Sequence, residues 1–357
     1  MSEIWRLIDT GLQSPIRNIA VSRALLEARH ADEIPSTLRF GRSTCCVLVG
    51  HSENLRQAVD VELCRKHGIP IYGRLTRGST GYIDERYLLC ELYLHRRDVD
   101  IPDLRTATKR MCHAAAAAIS ALGVDARQRS GTEIEVDGRM IGAGACASDG
   151  LGILLQTTLI MHTGAPHSEV LTMGGGALGK AAAHAAYART RSLQEVLGSS
   201  PDMPKVKHNL AEAFESEFDV EFREGDLTLS EQQRSQATLQ LLESGGLNSW
   251  FADPRSDLRV VESVHECRAT VLHALVLYDA GTHTIRQAWF SNEGAGYSER
   301  TILDLEAWLR DTPISELRNR TQRFFTSHPV DTRMPTATDF VTLIRRALEQ
   351  PFVARNS

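Results

Sequence analysis

Apolar residues recur at helical spacing in SPIRNIAVSRALLEARHAD (14–32), which predicts an opening helix. TLRFGRS and CCVLVGHS are short apolar runs and read as a strand pair. VDVELCRKHG predicts a short amphipathic helix stopped by Gly68. GIPIYGRLT leads into a glycine-containing connection, and YLLCELYLH comes after it as a strand. DLRTATKRMCHAAAAAISALG predicts a long helix ending at Gly123. TEIEVDGRMIGAGACAS turns at Asp137-Gly138, a strong hairpin signal, and GILLQTTLIMH reads as a buried strand.

The pattern changes after residue 165. EVLTMGGGALGK reads as a loop, whereas MPKVKHNLAEAFESEF and LSEQQRSQATLQLLESGG read as helices, the second capped by Thr228 or Ser230. NSWFADPRSD (248–257) is the expected boundary, giving domains over 1–250 and 257–357. Beyond it, CRATVLHALVLYDAGTHTIRQAWFS predicts two strands turning at Asp279-Ala280-Gly281. SERTILDLEAWLRDT and TDFVTLIRRALEQ predict helices. Helices interleaved with hairpins make the expected fold class α+β, a mixed α/β arrangement with a mixed sheet.

Composition narrows the partners. A formal net charge of −5 argues against nucleic acid or an anionic membrane, since both favour a basic surface. The apolar runs are too short for a membrane span, and the N-terminus lacks a secretory pattern. Seven scattered cysteines with no C-x-x-C fit reduced thiols in a cytoplasm better than disulfides or a zinc site, so no metal is expected from spacing. There are five lysines: Lys66, Lys109, Lys180, Lys205 and Lys207.

GRLTRGSTGYID (73–84) approaches the phosphate-loop pattern G-x-x-x-x-G-K-[ST] but lacks its lysine. A phosphate loop opens a helix, whereas the stretch next in the chain, GYIDERYLLCELYLH, is β-like. The plain reading is a connection in which Gly78 and Gly81 supply backbone freedom.

The order of these features resembles the lipoate–protein ligase branch of the biotin/lipoate ligase family. GIPIYGRLTRGSTGYID is similar to that family's G-I-P-V-x-R-R-x-S-G-G-G-A-V-Y-H-D, matching at Gly68, Ile69, Pro70, Arg74, Gly78, Tyr82 and Asp84. It departs at Arg77, Ser79, Thr80 and Ile83. RNIAVSRALLE and LRFGRSTCCVLVGHSEN resemble upstream family segments and put Arg39, Gly50 and His51 beside the implied pocket. RQRSGTEIEVDGRMIGAGA resembles G-x-N-D-I-x-V-x-G-R-K-I-S-G-S-A, with Glu133 at the nucleotide-contacting acid and Gly142 at a motif glycine. IRQAWFSNEGAGYSERTILDLEAWL resembles the small accessory domain.

The resemblance implies a catalytic domain over 1–250 and an accessory domain over 257–357. It implies ATP-dependent activation of lipoate or octanoate, with magnesium, to an acyl-adenylate. Transfer would follow to a lysine on a lipoyl-domain carrier protein. The family's lysine in G-R-K-I-S-G falls at Met140, which has neither charge nor donor. Arg74 is the better surviving cation, and Lys180 is a second candidate in a segment read as covering the adenylate. Ser79, Thr80 and Tyr82 belong to the implied acyl-adenylate loop. Asp84 is either a magnesium ligand or a loop hydrogen bonder, and His51 either orients substrate or is a surface histidine. Cys146 is either an acyl-thioester nucleophile, giving an ATP-independent acyltransferase, or a packed residue. A carrier-binding accessory protein without turnover is the remaining alternative.

Overall fold

In the computed structural model, residues 3–51, 53, 55–98, 103–129, 131–164, 167–243, 258–267, 270–294, 297–328 and 334–349 are described. In chain order the elements open with β1 (Glu3–Gln13), α1 (Pro15–His30), β2 (Thr37–Ser43), β3 (Cys46–Val49), α2 (Leu55–Ala58), α3 (Val61–His67), β4 (Ile71–Gly73) and β5 (Gly81–Ile83). They continue with β6 (Tyr87–His95), α4 (Leu104–Ser120), β7 (Ala126–Gln128), β8 (Glu133–Val136), β9 (Arg139–Ser148), β10 (Gly152–Ile160), α5 (Gly176–Ala188), α6 (Leu193–Leu197), α7 (Met203–Phe218), β11 (Val220–Glu224) and α8 (Leu229–Glu243). The C-terminal part holds β12 (Leu258–Cys267), β13 (Thr270–Asp279), β14 (Thr284–Gly294), α9 (Glu299–Trp308), β15 (Thr312–Pro313), α10 (Leu317–Ser327) and α11 (Ala337–Glu349).

The chain divides into two compact units. The first comprises Met1–Leu55, Asp60–Val170 and Thr190–Asp253; the second comprises Arg56–Val59, Leu171–Arg189 and Pro254–Ser357. The expected boundary segment NSWFADPRSD lies outside the described residues.

Among the described residues, the first unit is built on an eight-stranded sheet in the order β11-β1-β2-β6-β10-β9-β8-β7. β1 pairs parallel with β11 and β2, and the remaining pairings are antiparallel, so the sheet is mixed as expected. One face is covered by α4 and α7 around Met111, Leu155, Leu210 and Phe214. The other is covered by α1, which packs on β6 and β10 and against α8, around Val21, Leu25, Tyr93 and Leu154. A small sheet, β4-β3-β5, packs through Cys46 and Ile83 on Leu89 of β6. In the second unit α5, α9 and α11 pack on a four-stranded sheet, β12-β13-β14-β15.

Local signals explain many elements. The Asp60 carboxylate accepts the Leu63 N–H at the start of α3, and Gly68 closes it with φ 65°. Asp103 caps α4 by accepting from Thr106. Asp137 and Gly138 have φ 51° and 81°, so the β8–β9 hairpin uses the predicted two-residue turn. Thr228 and Glu231 bond reciprocally, which selects Thr228 as the cap of α8.

Three expectations are corrected. β2 and β3 do not pair with each other: β2 lies between β1 and β6, whereas β3 lies between β4 and β5. The opening residues, for which the pattern gave no element, form β1, whose register shifts between Asp9 and Leu12, around Gly11 at φ 64°. GGGALGK is only partly a loop. Gly174, Gly175 and Gly176 all have positive φ and turn the chain into α5, which carries Lys180.

The run Gly142-Ala143-Gly144-Ala145 is small for a packing reason. A Cβ on Gly144 would stand 2.5 Å from Cys112 Sγ and 2.8 Å from Thr108 Cγ2 of α4. One on Gly142 would stand 2.7 Å from the Thr158 carbonyl oxygen. Gly144→Val is therefore expected to lower unfolding stability in urea by about 1–3 kcal/mol, the usual cost of overpacking. An unchanged midpoint would show that α4 sits less tightly on β9 than described.

Candidate active site

The segment joining β4 to β5 is fastened at several points. The Arg77 N–H donates to the Cys146 carbonyl of β9 (3.0 Å), and the His51 N–H donates to the Thr76 carbonyl (3.2 Å). Gly50 and Gly78 meet backbone to backbone: a Cβ on Gly50 would lie 1.9 Å from the Gly78 carbonyl oxygen. Gly78 has φ 115°, a conformation that favours glycine. The Glu53 carboxylate accepts from both the N–H (2.7 Å) and the hydroxyl (2.5 Å) of Thr80.

Arg74 is one of two arginines in this loop, with the exposed Arg77 the other. The Arg74 guanidinium donates to Thr76 Oγ1 (2.7 Å) and to the Ser79 carbonyl (2.8 Å), both neutral oxygens. Burial lowers its pKa to about 10, and the Glu53 charge opposes that shift, so it stays protonated at neutral pH. Thr76 passes the connection inward. Its hydroxyl donates to Gln156 Oε1 of β10 (3.2 Å), and Gln156 Nε2 donates to Glu91 Oε1 of β6 (2.8 Å).

Glu91 and Arg39 form a buried ion pair at 2.7 Å, with Arg39 1% and Glu91 2% exposed. Glu91 also accepts from the Tyr93 hydroxyl (2.6 Å) and from Ser22 Oγ (3.1 Å). Arg39 donates to Thr10 Oγ1 (3.0 Å), Ser22 Oγ (3.1 Å) and Asn18 Oδ1. Burial works against its charge, but Glu91 and Tyr93 outweigh that and raise its pKa. Arg39 is thus a buried member of the network beneath the loop.

The other sequence candidates fall into separate places. Asp84 is 2% exposed, and Arg86 grips it through Nε and Nη2, besides its backbone N–H at 3.0 Å. That carboxylate is taken up by its own turn and does not fit a magnesium ligand. Tyr82 is buried on β5 opposite Val47, and burial raises its pKa. Glu133 pairs in register with Ala143. Met140 pairs with Glu135 beside a register shift that leaves Ile141 as the extra residue, and its carbonyl accepts the Arg191 N–H (2.8 Å). Lys180 is exposed on α5 of the second unit.

Cys146 is partly buried and packs with the α4 core, in register with Leu155. Its neighbours face the other way: Ala147 joins the α1-side core, and Ala145 Cβ lies 3.9 Å from where a Gly78 Cβ would be. Side chains alternate along a strand, so the thiol is on the sheet face away from the loop. Sequence reasoning missed Glu53, Thr76, Glu91 and Gln156. A signal for two of them was present, since Glu91 and Gln156 interrupt apolar strands.

Residues 14–215 match the lipoyl protein ligase A/B catalytic domain. The chain belongs to this family. Octanoyltransferase LipM of Moorella thermoacetica is 28% identical over 255 residues, covering 65% of this chain and 93% of that protein. LipM of Symbiobacterium thermophilum is 23% identical over 276 residues, covering 70% and 98%. A bipartite lipoate protein ligase from Thermoplasma acidophilum, described with its E2 lipoyl domain, superimposes with TM-score 0.59 at 21% identity, covering 70% of this chain and 96% of that one. A lipoate-protein ligase A bound with ATP gives 0.57 at 21%, covering 67% and 95%. The lipoate complex of P. falciparum LipL1 gives 0.54 at 11%, covering 97% and 100%. These relatives make the chain an enzyme of the lipoate ligase and octanoyltransferase family with the α+β fold expected. No described helix is long and apolar enough to cross a membrane.

Two variants separate the core from the loop. Glu91→Gln, which leaves Arg39 without its carboxylate, is expected to cost about 3–5 kcal/mol in denaturant unfolding. Gln156→Ala is expected to cost nearer 1 kcal/mol while speeding tryptic cleavage after Arg74 and Arg77. Unchanged cleavage in Gln156→Ala would show that the loop is held without the buried network.

Proposed function

We propose that this enzyme transfers an octanoyl or lipoyl group to a lysine amine of a lipoyl carrier domain, with the carboxyl end of the acyl group held at the 74–80 loop. Arg74 carries the reading: its guanidinium hydrogen bonds to Thr76 and Ser79 go to neutral oxygens, and the carboxylate whose charge acts on it, Glu53, is itself engaged by Thr80. The octanoyltransferase relatives and the ligase described with an E2 lipoyl domain support the acyl group and the carrier.

ATP is the activating reagent on this reading, supported by the ATP-bound neighbour. The acyl carboxylate attacks the α-phosphorus and pyrophosphate leaves. The carrier amine then attacks the acyl carbon and AMP leaves with the bonding pair. Arg74 supplies the positive charge, because the Met140 thioether cannot. Loss of one preorganised donor costs about 10²–10³ in rate, so adenylation is expected to be slow. The Asp84 carboxylate is held by Arg86, so no magnesium-binding role is assigned to it.

A second reading starts from an acyl group already activated on a donor, so that ATP is dispensable. The uncharged side chain at Met140 and the octanoyltransferase relatives favour it. A relay through Cys146 is disfavoured, because its thiol packs on the α4 side of the sheet.

The test is mass spectrometry of a lipoyl domain incubated with the protein and either octanoate plus ATP or an octanoyl thioester. On the first reading, acylation needs ATP, Met140→Lys speeds it by about tenfold or more, Arg74→Gln abolishes it, and Cys146→Ala leaves it unchanged. Fast wild-type adenylation slowed by Met140→Lys overturns this reading. ATP-independent transfer lost in Cys146→Ala replaces it with a thioester mechanism. Tight carrier binding without turnover from any donor replaces it with an accessory role.

A further inference from the structure

We propose that His67, His167 and Glu169 form a binding site for a zinc-type divalent cation. One potential ligand atom from each lies within 4.8 Å of the others. His67 is the last residue of α3, and Gly68 closes the helix directly behind it. His167 has φ 46°, unusual for a non-glycine residue, and its ring lies 4.7 Å from that of His67 at 38° between planes. His167 Nδ1 stands 3.0 Å from Glu169 Oε1.

The two ligand-bearing segments are already joined. Asp60, the cap of α3, donates its N–H to the Val170 carbonyl at 2.8 Å. The Tyr82 ring lies 6.1 Å from the His167 ring. Two imidazoles and a carboxylate suit zinc and its first-row neighbours, and leave a fourth position for water. Zinc bonds of about 2.0–2.1 Å in a tetrahedron set ligand atoms about 3.4 Å apart, so the His167–Glu169 pair at 3.0 Å needs little change and His67, within 4.8 Å, would have to close in. His67 and Glu169 are exposed, so their side chains have room to adjust.

A second cluster, His265, Cys267 and Asp339, does not fit a cation. Arg346 donates to His265 Nδ1 (2.9 Å), and His265 Nε2 faces Asp339 Oδ1 (3.3 Å). A metal on Nε2 would put the ring proton on Nδ1, against the arginine donor. Asp339 Oδ2 is already engaged by the N–H (2.6 Å) and hydroxyl (2.7 Å) of Thr336.

The experiment is calorimetric titration of the chelator-treated full chain with zinc chloride, with cobalt(II) as a spectroscopic substitute. One saturable site per chain is expected, and cobalt is expected to give a tetrahedral visible spectrum. His67→Ala and His167→Ala should each weaken binding by about tenfold or more, while His265→Ala leaves it unchanged. Circular dichroism checks that each variant is folded. No saturable binding below about 100 μM, an affinity of only some 5 kcal/mol, overturns the site and leaves a surface histidine–glutamate pair. So does binding undiminished in the His67→Ala/His167→Ala double variant.

Discussion

A buried charge is what the first unit is organised around. Arg39 and Glu91 sit inside the sheet's α1 face, where each ion taken from water costs several kcal/mol unless its hydrogen-bonding capacity is met. Here the partners come from five elements or their flanks: Thr10 on β1, Asn18 and Ser22 on α1, Arg39 on β2, Glu91 and Tyr93 on β6, and Gln156 on β10. A one-residue slip in any of these strands would turn its polar member to the other face and strand the rest. The pair therefore fixes register as much as it contributes energy. Through Gln156 and Thr76 the same network surfaces at Arg74, so the geometry of the exposed loop is inherited from the interior.

The opposite face obeys a different constraint. Gly142 and Gly144 leave no room for a Cβ against β10 and α4, whereas Ala145 faces the loop at ordinary contact distance. The strand that carries Met140 is thus shaped on its α4 face by close packing. The Met140 thioether brings no charge to its start, and the neighbouring loop brings Arg74 and Arg77.

Helices were legible in the sequence because their signals are local: a cap at Asp60 or Asp103, a stop at Gly68, an apolar stripe at helical spacing. The Asp137-Gly138 hairpin was legible for the same reason. Strand partners were not, since the choice between pairing β2 with β3 or with β1 and β6 depends on residues far away in the chain. Arg74 and Gly78 could be picked out from motif position, whereas the burial of Arg39 and the capture of Asp84 by Arg86 depend on packing. The orientation of Cys146 was within reach of simple alternation, once Ala145 is known to face the loop.

The route of the chain between the units has a consequence for folding order. Leu171–Arg189 belongs to the second unit although it is made before α6, α7 and α8 of the first. Within the second unit Arg189 grips Glu306 (2.8 Å) and the Phe290 carbonyl (3.3 Å), and the Phe290 N–H donates to Glu306 (2.8 Å). Glu306 is 2% exposed, and among the described residues its cation comes from a segment synthesised more than a hundred residues earlier. α5 packs on β12, β13 and β14, so the sheet that covers it does not exist until about a hundred further residues have been made. The C-terminal sheet then completes itself on a piece of chain left behind for it.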